Sequence, residues 1–269
     1  MRALPRPCLL ALLPLVLAAC SGSPLKKGDP GAAEAASLDH ARQALADAEL
    51  CCTQFSQFDF NAPLPSSLER FKIGAKRPVA DFGGSRSWFL AFHLPERDDK
   101  QSLEVLFKST LAGRWLHHSY LFAPSVVILD AAYRPLRIED VELCEYMGWT
   151  ESTSGAFGHV SIDDPTARYL VVYTSGKQLG SSTYWEQSPT AFSTQSPVEM
   201  ASSGSYQISH GPNGTLYVGR LTDEYRKTVD NAICHKPEDK GEGVLKTLRD
   251  VLLPGASSSS GGSDDAPAT

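Results

Sequence analysis

The sequence predicts a mainly β protein: an antiparallel β-sandwich of the immunoglobulin-like or jelly-roll type with short helices at both ends. Three observations predict this class. About seven short runs are rich in β-branched and aromatic residues, turn residues bound each run, and no helical pattern separates consecutive runs. A parallel sheet needs crossover connections between its strands. The pattern therefore favours a sandwich over about residues 71–221.

The predicted strands are the runs 88–94, 103–107, 126–129, 159–162, 169–173, 205–209 and 216–219. Residues 211–214 read Gly-Pro-Asn-Gly between the last two runs. Asn-Gly tolerates the positive φ angles of a tight turn, so these two runs are predicted to form a β-hairpin.

Helical patterns flank the strands. Leu38, Ala41, Leu45 and Ala48 recur at helical spacing and predict a helix within residues 32–52. A second stripe, at Val244, Leu245, Leu248, Val251 and Leu252, predicts a terminal helix that completes a domain over residues 53–252. Residues 253–269 are rich in Ser, Gly, Ala and Asp and are predicted to be a disordered tail.

Composition limits the classes of function. The chain has 269 residues, 42% of them hydrophobic, and a formal net charge of −6 at pH 7. This length allows one large domain or two small ones. The acidic balance excludes a general nucleic-acid binder, because neutralising phosphates requires a basic surface.

The first twenty residues are typical of an export signal. Arg2 and Arg6 precede an apolar run that ends in Leu17-Ala18-Ala19-Cys20. The run is shorter than the roughly 20 residues that span a bilayer, so residues 1–19 are interpreted as a signal peptide. The small residues before Cys20 resemble a bacterial lipobox, which predicts lipidation of this cysteine. Cleavage at an ordinary A-x-A site is the alternative.

A lipidated Cys20 predicts a membrane-anchored protein rather than a membrane-spanning one. Several acyl chains give stable anchoring, since each buried CH₂ contributes about 0.8 kcal/mol. Residues 20–31 then form a tether rich in Gly, Pro, Ser and Lys. Ser21 replaces the aspartate that retains many lipoproteins at the inner membrane. We therefore expect an outer-membrane protein that faces the periplasm.

Export also places the remaining cysteines in an oxidising compartment. Cys51, Cys52, Cys144 and Cys234 are the disulfide candidates, and four cysteines allow three pairings. Adjacent cysteines have Cα atoms about 3.8 Å apart, below the usual disulfide range. The favoured prediction therefore joins Cys51 and Cys52 each to one of the two distant cysteines. A metal site is the competing interpretation, but neither CxxC nor HxxxH spacing supports it, and no metal or cofactor is expected.

Sequence motifs give little support for catalysis. The chain contains no HExxH, no GxSxG and no GxxxxGK[ST], and Thr174-Ser175-Gly176-Lys177 lacks the glycine spacing of a phosphate-binding loop. Adjacent His117 and His118 would point to opposite faces of a strand and rarely share one metal. Asp163-Asp164 offers half of a carboxylate pair for glycoside hydrolysis, but Asp-Asp-Pro is also an ordinary turn.

Four aromatic residues are candidates for sugar binding: Trp115, Trp149, Tyr184 and Trp185. Sugar rings pack their apolar C–H faces on exposed aromatic rings, and these four residues lie in polar, loop-like sequence. The alternative is that each covers a sheet edge or part of the core. Trp88 lies inside an apolar run and is predicted to be a core residue.

The order of several segments resembles the maltose-operon periplasmic protein (MalM-like) family. The segments are Phe71-Lys72-Ile73, residues 77–82, residues 84–92 with Leu94-Pro95, residues 122–130 with Pro135, residues 168–175 with Lys177-Gln178-Leu179, and residues 216–219. The resemblance covers roughly residues 51–221. It implies a periplasmic accessory protein connected with maltodextrin uptake and without catalytic residues.

This chain differs from enteric members of the family in its lipobox, its additional cysteines and its short tail. The resemblance therefore does not by itself establish a link to maltose. Two functions remain open. One is a lipoprotein that binds a maltodextrin-like glycan near an envelope transport protein. The other is a structural or protein-interaction lipoprotein of the envelope with no sugar ligand. An envelope hydrolase is the weakest alternative.

Overall fold

In the computed structural model the described residues are 32–96, 102–112, 119–148, 154–187 and 204–235. They form a mainly β protein with antiparallel pairing in both larger sheets, which confirms the predicted fold class. The predicted signal peptide, tether, terminal helix at 244–252 and tail lie outside the described residues.

The strands are β1 (Glu69–Ile73), β2 (Val79–Asp81), β3 (Arg86–Trp88), β4 (Leu90–His93), β5 (Leu103–Thr110), β6 (Tyr120–Leu121), β7 (Ser125–Asp130), β8 (Pro135–Asp140), β9 (Cys144–Tyr146), β10 (Gly155–Ile162), β11 (Ala167–Tyr173), β12 (Ser182–Gln187), β13 (Gly204–His210) and β14 (Gly214–Arg220). The helices are α1 (Ala32–Asp47), α2 (Gly176–Leu179) and α3 (Asp223–Asp230), with a 3-10 turn at Phe55–Gln57.

Two larger sheets enclose the main core. One has the strand order β1-β14-β5-β10-β9, and the other has the order β4-β11-β7-β8. Alternate side chains of the two sheets meet in one cluster that includes Phe107, Ile128, Leu170 and Leu216, all essentially inaccessible to solvent. This is the sandwich arrangement that the alternating runs predict. Two smaller sheets, β12-β13-β6 and β2-β3, flank it.

A second, aromatic cluster covers the other face of the four-stranded sheet. Phe58 stacks on Phe89 with ring centroids 4.2 Å apart, and Phe82 stacks on Tyr173 at 4.0 Å. These rings lie over Val127 and the alternate residues of β11. Burial on both faces explains why residues 126–129 of β7 are all apolar rather than alternating with polar residues.

Helix α1 confirms the predicted N-terminal helix and ends at Asp47. Ala41 and Leu45 are buried, as the helical stripe predicts. Arg86 on β3 caps its C-terminal end, because Nη1 donates to the carbonyls of Ala46 at 2.7 Å and Ala48 at 3.1 Å. Such carbonyls have no partner within the helix, so Arg86 fixes the helix end against the sheet.

The predicted hairpin at residues 211–214 is wrong. β13 and β14 flank this segment, but β13 pairs with β12 and β6, whereas β14 pairs with β1 and β5. The connection therefore passes from one sheet to another. Glycine at position 211 lets the backbone pass close to the Tyr120 ring, since a Cβ at this position would lie 2.3 Å from Cδ2 of Tyr120.

The run at residues 88–94 is divided between two sheets. Trp88 ends β3 and Leu90 begins β4, with Phe89 between them. β3 pairs with β2, and β4 pairs with β11. Trp88 is buried in the main core, as predicted.

The favoured disulfide pairing is also wrong. The structure joins Cys51 to Cys52 and Cys144 to Cys234. Two backbone hydrogen bonds between Glu145 and Ile233 place the second pair side by side, with Cα atoms 4.1 Å apart. Cys51 lies elsewhere, beside β2, where its backbone N–H donates to the carbonyl of Val79 at 2.9 Å.

Candidate functional site

A polar cleft of about 400 Å³ lies where β8, α2, β12 and β13 meet. Its volume falls within the usual range for small-molecule sites. The residues that line it are Asp140, Val141, Glu142, Leu143, Lys177, Gln178, Ser181, Ser182, Thr183, Tyr184, Gln207, His210, Cys234 and His235. Most of these side chains donate or accept hydrogen bonds.

Helix α2 forms one side of the cleft through the residues that resembled part of a phosphate-binding loop. Ser175 is the N-cap of this helix, and its Oγ accepts from the backbone N–H of Gln178 at 3.0 Å. The buried Gln178 side chain then donates to the carbonyls of Pro124 at 3.1 Å and Val141 at 2.9 Å. These hydrogen bonds hold α2 against the start of β7 and the end of β8.

Asp140 carries a fixed negative charge beside α2. Its Oδ1 accepts from Ser125 Oγ at 2.6 Å and from Ser175 Oγ at 2.7 Å, while Lys177 Nζ lies 3.3 Å from Oδ2. Burial raises the pKa of this carboxyl, but the two serines and Lys177 outweigh burial and hold the pKa below its ordinary value. Asp140 is thus ionised at neutral pH, with an exposed ammonium group at its side.

His210 on β13 completes the same side of the cleft. Burial lowers its pKa, partly offset by its bond to Gln178, so the ring is neutral at neutral pH. Nδ1 lies 2.8 Å from the carbonyl oxygen of Gln178, and Nε2 lies 2.9 Å from Thr183 Oγ1. Because a carbonyl only accepts, Nδ1 carries the proton and Nε2 accepts from Thr183. We call Asp140, Ser175, Gln178 and His210 the α2 wall.

The cleft is also lined by Leu143, Tyr184, Cys234 and His235, which we call the β9 wall. Leu143 directly precedes β9, and Tyr184 lies on β12. Cys234 is held by its disulfide to Cys144 and by the neighbouring bridge between Ile233 and Glu145. His235 Nε2 lies 3.5 Å from Glu142 Oε1 at the exposed rim.

Glu145 lies behind the β9 wall and joins its parts. Its side chain is 3% exposed, and Oε2 accepts from the backbone N–H of Glu186 on β12. Within the described residues, Oε1 has no hydrogen-bond partner. Burial, together with the nearby Glu186 carboxylate and against the Glu186 N–H, raises the pKa of Glu145 to about 8. The carboxyl is mainly protonated at neutral pH.

The structure brings one of the four sugar-binding candidates into the cleft. Residues 182–187 form a strand rather than the loop-like segment that their composition suggests. Tyr184 lines the cleft but is 6% exposed, and Trp185 is 7% exposed and packs in the main core. Neither ring is an exposed platform. Trp115 and Trp149 lie outside the described residues, as do His117 and His118.

The Asp163-Asp164 segment is a turn. Asp164 Oδ1 accepts from the backbone N–H and the hydroxyl of Thr166, at 2.8 and 2.6 Å. This arrangement uses the carboxylate to close the chain reversal between β10 and β11. Among the residues that the structure describes, no three His, Cys, Asp or Glu side chains form a group suited to a metal ion.

Most of the cleft was missed by sequence reasoning. Asp140, Gln178 and the β13 residues Gln207 and His210 come from three separate segments, and no spacing in the sequence connects those segments. A weak signal existed at Ser175 and Lys177, since Ser before a short helix is typical of an N-cap.

No helix within the described ranges is long and apolar enough to cross a membrane.

One comparison with known proteins gives a match. A family model described as "Maltose operon periplasmic protein precursor (MalM)" matches residues 84–218, about half of the chain. The match includes Asp140, all of α2 and His210. No curated protein and no solved structure matches the chain significantly.

Proposed function

Because the chain belongs to the maltose operon periplasmic protein family, we propose that it is a non-catalytic accessory of maltose and maltodextrin transport. In this proposal it binds a maltodextrin-like glycan in the polar cleft, without metal or cofactor. It is anchored to the periplasmic face of the outer membrane through Cys20, beside an envelope transport protein.

The single observation that carries glycan binding is the lining of the cleft. A neutral glycan presents many hydroxyl groups that both donate and accept, and each buried hydroxyl needs a partner. Gln207 and Ser182 are exposed at the cleft and already bond to each other, with Ser182 Oγ 2.8 Å from Gln207 Oε1. Lys177 adds a donor, and Tyr184 lines the cleft with a small part of its side chain exposed.

Electrostatics support a neutral ligand rather than a strongly charged one. Asp140 and Lys177 form an ion pair, His210 is neutral, and Glu142 lies near His235. The charge of Asp140 is therefore paired with that of Lys177 inside the cleft. Such a pair orients hydroxyl groups by hydrogen bonds without creating a strong net field.

Titration calorimetry of the full chain in detergent tests this function. We expect saturable binding of maltose or longer maltodextrins and none of an unrelated glycan. Gln207→Ala should weaken binding by about tenfold, equivalent to about 1.4 kcal/mol. Gln43→Ala, an exposed glutamine on α1, is the matched control and should bind like the wild type. Absence of binding at millimolar maltodextrin contradicts the proposal.

Lipid anchoring needs a separate experiment. Cys20→Ser should abolish incorporation of a labelled fatty acid and release the protein from the membrane fraction. The same exchange at Cys8, inside the proposed signal peptide, should leave the mature protein lipidated. A membrane-bound, labelled Cys20→Ser protein would contradict anchoring at this residue.

A second candidate function is protein interaction, and one observation favours it. Edge strand β8 exposes Ile138 to 59% and Leu136 to 38%, next to the aromatic cluster. Exposed apolar side chains on an edge strand are typical of a contact surface. A double variant, Leu136→Ser with Ile138→Ser, should abolish capture of an envelope partner but leave maltodextrin binding unchanged.

A further inference from the structure

The β9 wall is assembled around one residue. Through its backbone, Glu145 exchanges two hydrogen bonds with Ile233, at 3.0 and 2.7 Å, next to the Cys144–Cys234 disulfide. Through its side chain, it accepts the N–H of Glu186, two residues along β12 from Tyr184. Glu145 therefore connects the strand and the C-terminal segment that carry Tyr184, Cys234 and His235.

We propose that Glu145 is a proton-controlled latch of the cleft. When its carboxyl is neutral, β12 is held against β9; when it ionises, β12 separates locally from β9 and water reaches the carboxylate, while residues 233–235 stay attached to β9 through the Cys144–Cys234 disulfide. The latch regulates the proposed glycan site and so rests on that function for its ligand, but its opening is a property of the free protein.

The surroundings of Glu145 make the ionised state unfavourable while the wall is closed. From β12, the carboxylate of Glu186 faces it and adds repulsion. From β10, the residue paired with Glu145 is Ala156, which carries no charge. The next residue in that row, Ser109 on β5, is also buried, and its hydroxyl has no partner among the described residues.

Other charges near β9 are engaged elsewhere. His235 on the C-terminal segment lies beside Glu142. The α3 helix lies on the opposite face of the sheet, where Tyr225 packs near Phe157, the residue paired with Cys144. Successive side chains alternate between faces, so Glu145 points away from α3. The buried Lys108 on β5 lies on that same opposite face, with Nζ 5.7 Å from the centroid of the Phe157 ring. Within the described residues, the groups that shift the pKa of Glu145 therefore include no cation.

The sign of the pH effect follows from proton binding. The open wall exposes a carboxyl with an ordinary pKa near 4.5, whereas the pKa in the closed wall is about 8. Between these values, opening releases one proton, so the opening constant rises about tenfold per pH unit. Above about pH 8 both states are ionised and the rise levels off.

Hydrogen exchange of the full chain, followed by mass spectrometry from pH 5 to pH 9, tests the latch. After correction for intrinsic exchange, we expect the amides of β12, above all that of Glu186, to exchange about tenfold faster per pH unit up to pH 8. Amides at the centre of β5 should exchange far more slowly, because they require global unfolding. Glu145→Gln should remove the pH dependence of the wall.

A second variant keeps the test decisive if Glu145→Gln does not fold. Glu186→Gln removes the repulsion and keeps Glu145, so the rise should level off at a lower pH. The latch is overturned if Glu145→Gln retains the tenfold dependence, or if β12 exchanges no faster than β5. Because no ligand is present, these results stand even if maltodextrins do not bind; added maltoheptaose that slows exchange in β12 would link both proposals.

Discussion

The two walls of the cleft differ in how completely their buried polar groups are paired. In the α2 wall, Asp140, Gln178 and His210 each have at least two hydrogen-bond partners, all within 3.1 Å. Behind the β9 wall, Glu145 has an unpartnered oxygen among the described residues. A paired network has one stable arrangement, whereas an unpaired buried carboxyl favours any opening that hydrates it.

A ligand in the cleft would therefore contact one wall fixed by paired hydrogen bonds and one wall whose closure depends on a protonated carboxyl. The α2 wall offers groups whose positions are fixed before binding, which lowers the ordering cost of recognition. The β9 wall depends on a disulfide, two backbone hydrogen bonds and a protonated carboxyl. Specificity is therefore expected from the α2 wall and regulation from the β9 wall.

The largest effect on stability should come from the disulfide of the β9 wall. Cys144→Ala with Cys234→Ala removes a cross-link between residues 90 positions apart. In the chain-entropy treatment, such a loop contributes about 4.6 kcal/mol to the free energy of unfolding. Urea denaturation of both forms measures the loss.

The other disulfide is the matched control for this change. Cys51→Ala with Cys52→Ala also removes two thiols and one bond, but it joins neighbours and closes almost no loop. Its loss should lower the unfolding free energy by no more than about 1 kcal/mol. Equal losses from the two pairs would show that loop length does not set the contribution of the Cys144–Cys234 bond.

The α2 wall should respond to the loss of a single buried side chain. Gln178→Leu keeps an apolar stem of similar size but removes the donor to the Val141 carbonyl and one of the two donors to the Pro124 carbonyl, which keeps the N–H of Val141 at 3.0 Å. The loss of these two bonds should cost about 2 kcal/mol in unfolding free energy. Gln43→Leu on exposed α1, whose amide bonds to Asp47 at 2.9 Å, should cost less than about 0.5 kcal/mol.

Much of the sandwich was predictable from sequence because its strands are apolar runs with local boundaries. The core positions of β5, β7, β10 and β11 are clear for this reason. The pairing of strands was harder to predict. Asn213-Gly214 indicates a local turn, but the local sequence does not indicate which sheet the next strand joins. Strands β8 and β12 were missed because an edge position and a polar composition conceal the alternating pattern.

The candidate site was less predictable than the fold for a physical reason. Tyr184 was identified as an aromatic residue in polar sequence, but the burial of Trp185 beside it depends on a core built from distant strands. The raised pKa of Glu145 likewise results from burial between β9 and β12, which are 35 residues or more apart in the chain. A pKa shift of this kind exists only after the chain has folded.

The smallest effect on stability should come from Lys177, although it lines the α2 side of the cleft. Its side chain is largely exposed, and an exposed ion pair such as that with Asp140 contributes at most about 1 kcal/mol. Lys177→Gln should therefore leave urea denaturation nearly unchanged, and Lys72→Gln on exposed β1 provides the matched control.

The two variants should differ in their affinity for maltodextrins. If Lys177 donates to a glycan hydroxyl, its replacement weakens maltodextrin binding about threefold to tenfold, because one hydrogen bond contributes about 1 kcal/mol. Equal affinity of both variants would place the ligand away from Lys177 and assign recognition in the α2 wall to residues deeper in the cleft.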